Sequence, residues 1–133
     1  MNKLVIQVDG SMRGGLTGVG YVVYNGSEIL DCGCVQYKKQ FTNNQAEYLA
    51  AINAIKVAAQ FDIDELEIQT DSQLVWGQLT QNWMINKEHL RKLHNKFNEI
   101  SSKQTFNITV KHIPRRDNKL ADKMAKSATK ERN

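Results

Sequence analysis

Two segments of this chain end alike. Ile6-Gln7-Val8-Asp9-Gly10 and Ile68-Gln69-Thr70-Asp71-Ser72 each carry an alternating, largely apolar run to an aspartate followed by a small residue. Such alternation predicts strands, and in open α/β sheets the ligand crevice lies beyond the carboxyl ends of the strands. If the two strands are parallel neighbours, Asp9 and Asp71 stand side by side. Adjacent carboxylates repel, and a pKa rises unless a cation sits between them. The natural cation for such oxygen ligands is Mg²⁺ or Mn²⁺. A single aspartate at a strand end is more often a turn former, and the matched contexts weaken that reading.

Two further acids join this pair as candidates. Glu47 falls in the first turns of a segment that opens Thr42-Asn43-Asn44-Gln45, the pattern of a capping box. It borders the stripe of Tyr48, Ala51, Ile52 and Ile55 and so points partly toward the core, where an unpaired carboxylate is costly. A favourable interaction with the helix N-terminus is the plainer account of it. Asp122 lies between Leu120, Ala121 and Met124 in the last helix. Alone it reads as a surface acid paired with Lys119 or Lys126. Asp117, together with Asn118, is a candidate N-cap. Residue chemistry alone does not decide between Asp122 and Asp117 as a site acid.

The elements that must position these acids follow from periodicity. LVIQVDG predicts a first strand ending at Gly10, followed by the glycine-rich SMRGGLTGVG. VGYVVYN and EILDCGCVQY predict two more strands joined at Asn25–Ser27, so the first three form a meander. Residues 43–60 predict a helix, DELEIQTDS a fourth strand, and Ser72 to Leu79 a short helix. His89 to Ile100 places Leu90, Leu93, Phe97 and Ile100 on one helical face, NITVKHI is the last strand, and residues 118–129 form the last helix. The expected fold class is α/β, a single domain over residues 1–133 with a mixed central sheet flanked by helices, its last few residues a flexible tail. Trp76 is expected in the core, while Trp83 is open between a core anchor and a sugar contact. Cys32 and Cys34 lack neighbouring ligands for a metal and read as small apolar fillers.

Composition narrows the class of partner. The 133 residues are 41% hydrophobic and 24% charged, with one Pro, which excludes collagenous and low-complexity chains. No apolar run approaches the roughly 18 residues needed to span a bilayer. The start of the chain lacks the features of a secretory signal, so a cytoplasmic protein without membrane association is expected. Residues 1–70 hold 5 Lys+Arg against 8 Asp+Glu, and residues 71–133 hold 13 against 6. A basic half on a small domain points to a polyanion.

Taken together, VDGS with Asp9, TNNQAEYLAAINAI with Glu47, QTDSQLV with Asp71 and NKLADKMAK with Asp122 resemble the ribonuclease HI family. They come in the family's order on the same kinds of element, and the resemblance spans nearly the whole chain. It implies a ribonuclease H-like fold and endonucleolytic hydrolysis of the RNA strand of an RNA–DNA hybrid. It implies two bound Mg²⁺ or Mn²⁺ held by Asp9, Glu47, Asp71 and Asp122, and products with 5′-phosphate and 3′-hydroxyl ends. It also selects Asp122, in Ala121-Asp122-Lys123-Met124-Ala125, over Asp117. Substrate contacts are expected at Gly10, Ser11, Thr42, Asn43, Asn44 and Gln73, and at Lys87, Arg115, Arg116 and Asn118. A monomer is expected.

The chain departs from the family pattern in three places. The segment after Asp9 is short and lacks the Asn-Pro-Gly common in the family. The stretch from Asn82 to Lys92 lacks the long basic insertion of many bacterial members, leaving a compact form. His112 stands ten residues before Asp122, as an auxiliary histidine would, but alternation puts it in a strand. Arg115 and Arg116 occupy the loop instead. A binding module without turnover, or a nuclease for another nucleic acid, remains a rival. The TNN and TDSQ matches favour the hybrid.

Overall fold

The computed structural model describes residues 2–130. The expected tail falls mostly on residues 131–133, outside the described residues. Five strands, β1 (Lys3–Arg13), β2 (Leu16–Asn25), β3 (Glu28–Tyr37), β4 (Glu65–Thr70) and β5 (Asn107–His112), form one sheet in the order β3-β2-β1-β4-β5. β1 to β3 form the antiparallel meander, and β4 and β5 add to β1 in parallel. Four helices, α1 (Asn43–Ala58), α2 (Gln73–Thr80), α3 (Glu88–Ser102) and α4 (Lys119–Ser127), complete the domain. Among the described residues, no helix is long and apolar enough to cross a membrane.

Alternation along β1 assigns the two faces. Leu4, Ile6 and Val8 are fully buried in the main core with Ile52 and Ile55 of α1 and Phe97 of α3. Gly10 continues that face and lies against Ala46 of α1. Asp9 points to the opposite face, where its cross-strand partner is Gly20. There α4 lies directly on Gly18 and Gly20 of β2. Val22, opposite Gln7, is buried on this face too, whereas toward β4 the face is polar, with Lys3 bonded to Glu67 and Gln7 to Gln69. The alternation of buried Leu66, Ile68 and Thr70 with half-buried Glu67 and Gln69 in β4 follows from that arrangement.

The close approach of α4 is a requirement for small residues. A Cβ on Gly20 would overlap the backbone of Ala121 and Ala125. Gly20→Ala is therefore expected to cost about 3 kcal/mol by overpacking, a fall of roughly 10 °C in melting temperature. Melting at the parent temperature would contradict this packing.

Several expectations change. β1 does not stop at Gly10 but continues to Arg13, because Gly14 and Gly15, with φ of 59° and 79°, supply a two-residue turn to β2. The last helix is preceded by a 3-10 turn, Arg115–Asp117, and its N-cap position is Asn118, with no side-chain cap. Asp117 therefore does not cap it. Cys32 and Cys34 are exposed free thiols, not fillers, because β3 is the sheet edge and α4 sits over β2. Trp76 is only half-buried, its ring 5.9 Å edge-on from Trp83 and 6.2 Å from His112. Trp83 covers Gly77 while remaining 41% exposed.

Candidate active site

β1 and β4 part immediately after the pair Val8↔Thr70. β1 runs on beside β2, whereas β4 turns at Ser72, whose Oγ accepts the Val75 N–H at 3.2 Å and caps α2. The parting opens a cleft of about 500 Å³ with Asp9 and Asp71 at its base. The capping box forms as expected: Thr42 Oγ1 accepts the Gln45 N–H at 3.2 Å and the Thr42 N–H donates to Gln45 Oε1 at 2.9 Å. It starts α1 so that Glu47 comes round to the cleft, where its Oε1 accepts the Gly10 N–H at 2.6 Å. Carboxylate oxygens of Asp9, Glu47 and Asp71 lie within 4.8 Å of one another. Asp122 enters from α4, on the opposite side of the sheet from α1, and its Oδ2 pairs with Lys126 at 3.0 Å.

Crowding shifts these acids. Burial, the neighbouring Asp71 and a hydrogen bond with Asp122 push Asp9 up to about 7, against the weaker opposing effects of Glu47 and the Gly10 N–H. Burial first, then the charges of Asp9 and Asp71, push Glu47 up to about 9. At Asp122 burial acts upward but is outweighed by the bond to Lys126, the shared bond with Asp9 and the charge of Arg115, so its pKa falls. The cluster thus holds protons that a divalent cation would replace. Its donors are all hard oxygens, the set that suits such a cation.

The sign of the pH dependence follows. Unfolded carboxyls titrate near about 4. Between there and the raised values the fold retains protons that the unfolded chain has released, so metal-free stability should fall as pH rises from about 4 to about 9. Cation uptake at neutral pH should release about one to two protons. Calorimetry in buffers of different ionisation enthalpy measures that release, and a value of zero would contradict the raised acids.

The structure sorts the expected binding residues. Gly10, Ser11, Asn43, Asn44 and Arg115 line the same cleft as the four acids. Thr42 adjoins it with its hydroxyl committed to the cap. Gln73, Lys87 and Arg116 are exposed but outside the cleft lining. His112 is the last residue of β5, exposed and packed near Trp76, also outside it. Asn118 has no exposed surface, so direct substrate contact is ruled out. Its Nδ2 donates to Asp71 Oδ2 at 3.0 Å. The sequence reading missed that contact, which spans 47 positions and has no local signal. Met12 also lines the cleft, unforeseen because β1 was expected to end before it.

Known proteins agree with this architecture. The family model described as reverse transcriptase-like matches residues 7–128. Ribonuclease HI of Halobacterium salinarum is 38% identical over 123 residues, 90% of this chain, and the chain spans 61% of that relative's length. The crystal structure of RNase H1 from the same archaeon superposes with a TM-score of 0.87 at 36% identity, covering 96% of this chain and 97% of that one. LC11-RNase H1, solved in complex with an RNA/DNA hybrid, superposes at 0.84 with 26% identity over 95% of this chain and 96% of its own. With a family model spanning nearly all its length and likeness in both sequence and fold, this chain belongs to the ribonuclease HI family.

Proposed function

We propose that the chain is an endoribonuclease that hydrolyses the RNA strand of RNA–DNA hybrids using two Mg²⁺ or Mn²⁺, leaving 5′-phosphate and 3′-hydroxyl ends. The observation that carries this reading is the convergence of Asp9, Glu47 and Asp71, with oxygens within 4.8 Å, at the parting of β1 and β4. Asp9, Glu47, Asp71 and Asp122 would hold the cations, which supply an activated water on one side of phosphorus and a stabilised leaving oxygen on the other. The Gly10 N–H fixes the rotamer of Glu47. Asn43 and Asn44, uncharged and at the start of α1, offer donors and acceptors suited to a phosphate and to minor-groove hydroxyls. Arg115 and Lys126 offset the charge of an entering phosphate at the rim. The protein acts as a cytoplasmic monomer in this reading.

The test is incubation with labelled hybrid, RNA duplex and DNA duplex, with and without Mg²⁺ or Mn²⁺. Metal-dependent loss of the RNA strand from the hybrid is expected. Tight hybrid binding without turnover would favour the binding-module reading. The basic α3 supplies backbone contacts outside the cleft. Lys87→Glu should raise the Michaelis constant several-fold, leave turnover intact and flatten the salt dependence by about one unit of log–log slope. Unchanged kinetics would place the substrate on another face.

A further inference from the structure

Asn118 is a polar residue with no exposed surface, yet its side chain is not fully satisfied. Nδ2 donates to the Val8 carbonyl at 2.8 Å and to Asp71 Oδ2 at 3.0 Å. Oδ1 is buried and finds no partner among the described residues. A buried, unpaired acceptor is unfavourable, so the orientation is set by the two donations and not by complete satisfaction of the amide. The Val8 carbonyl lies beside Asp9, where the ladder between β1 and β4 runs out. The main-chain carbonyl of Asn118 in turn accepts the Asp122 N–H at 3.1 Å. One residue therefore touches the strand that carries Asp9, the carboxylate of Asp71 and the backbone of Asp122. Glu47, the remaining acid, is held separately by Gly10.

We propose that Asn118 is a positioning residue that fixes the spacing of Asp9, Asp71 and Asp122 for cation uptake. It acts by tying Asp71 and the start of α4 to β1 at the point where backbone pairing ends. It touches neither substrate nor cation. Without it, the β1–β4 ladder would still hold the backbone up to Thr70, but the Asp71 carboxylate would lose the hydrogen bond that fixes its rotamer toward Asp9 and the start of α4. Outer partners of metal-holding carboxylates commonly govern affinity in this way.

This inference rests on the metal-dependent nuclease reading, and the experiment separates the two. Mn²⁺ is titrated calorimetrically into the parent protein, Asn118→Ala and Asn118→Ser without nucleic acid. Hybrid affinity is measured in EDTA, and turnover across a range of Mn²⁺ concentrations. Asn118→Ala should lose about 10- to 100-fold in Mn²⁺ affinity, keep its hybrid affinity in EDTA, and regain part of its turnover at high Mn²⁺. Asn118→Ser, which retains a donor, should fall between it and the parent, and it covers the case in which the alanine variant fails to fold. Gln36→Ala is the stability control. It removes a bond from Gln36 Nε2 to the Ala128 carbonyl at 2.8 Å, away from the acids. It should lower the melting temperature and leave Mn²⁺ affinity unchanged. Parental Mn²⁺ affinity in the folded Asn118 variants, or an equal loss in Gln36→Ala, would overturn the inference alone. No Mn²⁺ uptake by the parent would overturn the nuclease reading with it.

Discussion

Asp9→Asn is expected to reduce hybrid cleavage by about a thousandfold or more while making the metal-free protein more stable. Asp9 stands at the centre of the acid cluster, 7% exposed, with Asp71 and Asp122 both acting to raise its pKa. An amide keeps the volume but loses the charge that offsets a cation. Removing about 4 kcal/mol of metal-dependent transition-state stabilisation corresponds to roughly a thousandfold in rate. In EDTA the same change relieves repulsion and desolvation. A gain of about 1–2 kcal/mol near pH 8 is expected, vanishing toward pH 4, where Asp9 of the parent is protonated as well. Glu47 should titrate lower in this variant, because the Asp9 charge is among the causes that raise it. Single-turnover cleavage and thermal melts across pH measure the two halves. Activity within tenfold of the parent, or a less stable apo protein, would contradict the role given to Asp9.

The second large effect is expected at Asp122. Asp122→Asn should lower Mg²⁺-supported turnover by about a hundredfold or more, with partial recovery at high Mn²⁺. Its ion pair with Lys126 joins partly exposed side chains four positions apart on one helix, so its loss costs only about 0.5 kcal/mol. Asp117→Ala is the contrast. Asp117 lies in the 3-10 turn and α4 has no side-chain cap, so the change should leave both turnover and stability within about 0.5 kcal/mol of the parent. If Asp117→Ala abolished turnover while Asp122→Asn retained it, the assignment of the last acid would be wrong.

What could be read from the chain follows the range of the forces involved. Period-two alternation in LVIQV and LEIQT, the capping box at Thr42 and the apolar stripe from Tyr48 are local, and the meander and α1 follow from them. The matched aspartates also required only local reading, plus the assumption of parallel neighbours, which the register Val8↔Thr70 meets. The extension of β1 to Arg13 was hidden because glycines signal both loops and tight turns. Here Gly14 and Gly15 make a two-residue turn, while Gly18 and Gly20 lie inside β2 to admit α4. Exposure of Cys32 and Cys34 depends on which strand becomes the edge, a property of the whole sheet. Asn118 reads locally as a helix-start residue. Its bonds to Val8 and Asp71 exist only after β1, the end of β4 and the start of α4 have been brought together, so sequence spacing carries no trace of them.

In the proposed function these carboxylates drive metal-dependent hydrolysis of the RNA strand. It is tested most directly by end-group analysis of a hybrid labelled on both strands, cut by the parent and by Asp9→Asn purified identically. The parent with Mg²⁺ or Mn²⁺ should fragment only the RNA strand, to 5′-phosphate and 3′-hydroxyl ends, and EDTA or Asp9→Asn should abolish the fragments. An intact RNA strand at saturating metal, or equal fragmentation by Asp9→Asn, would contradict it.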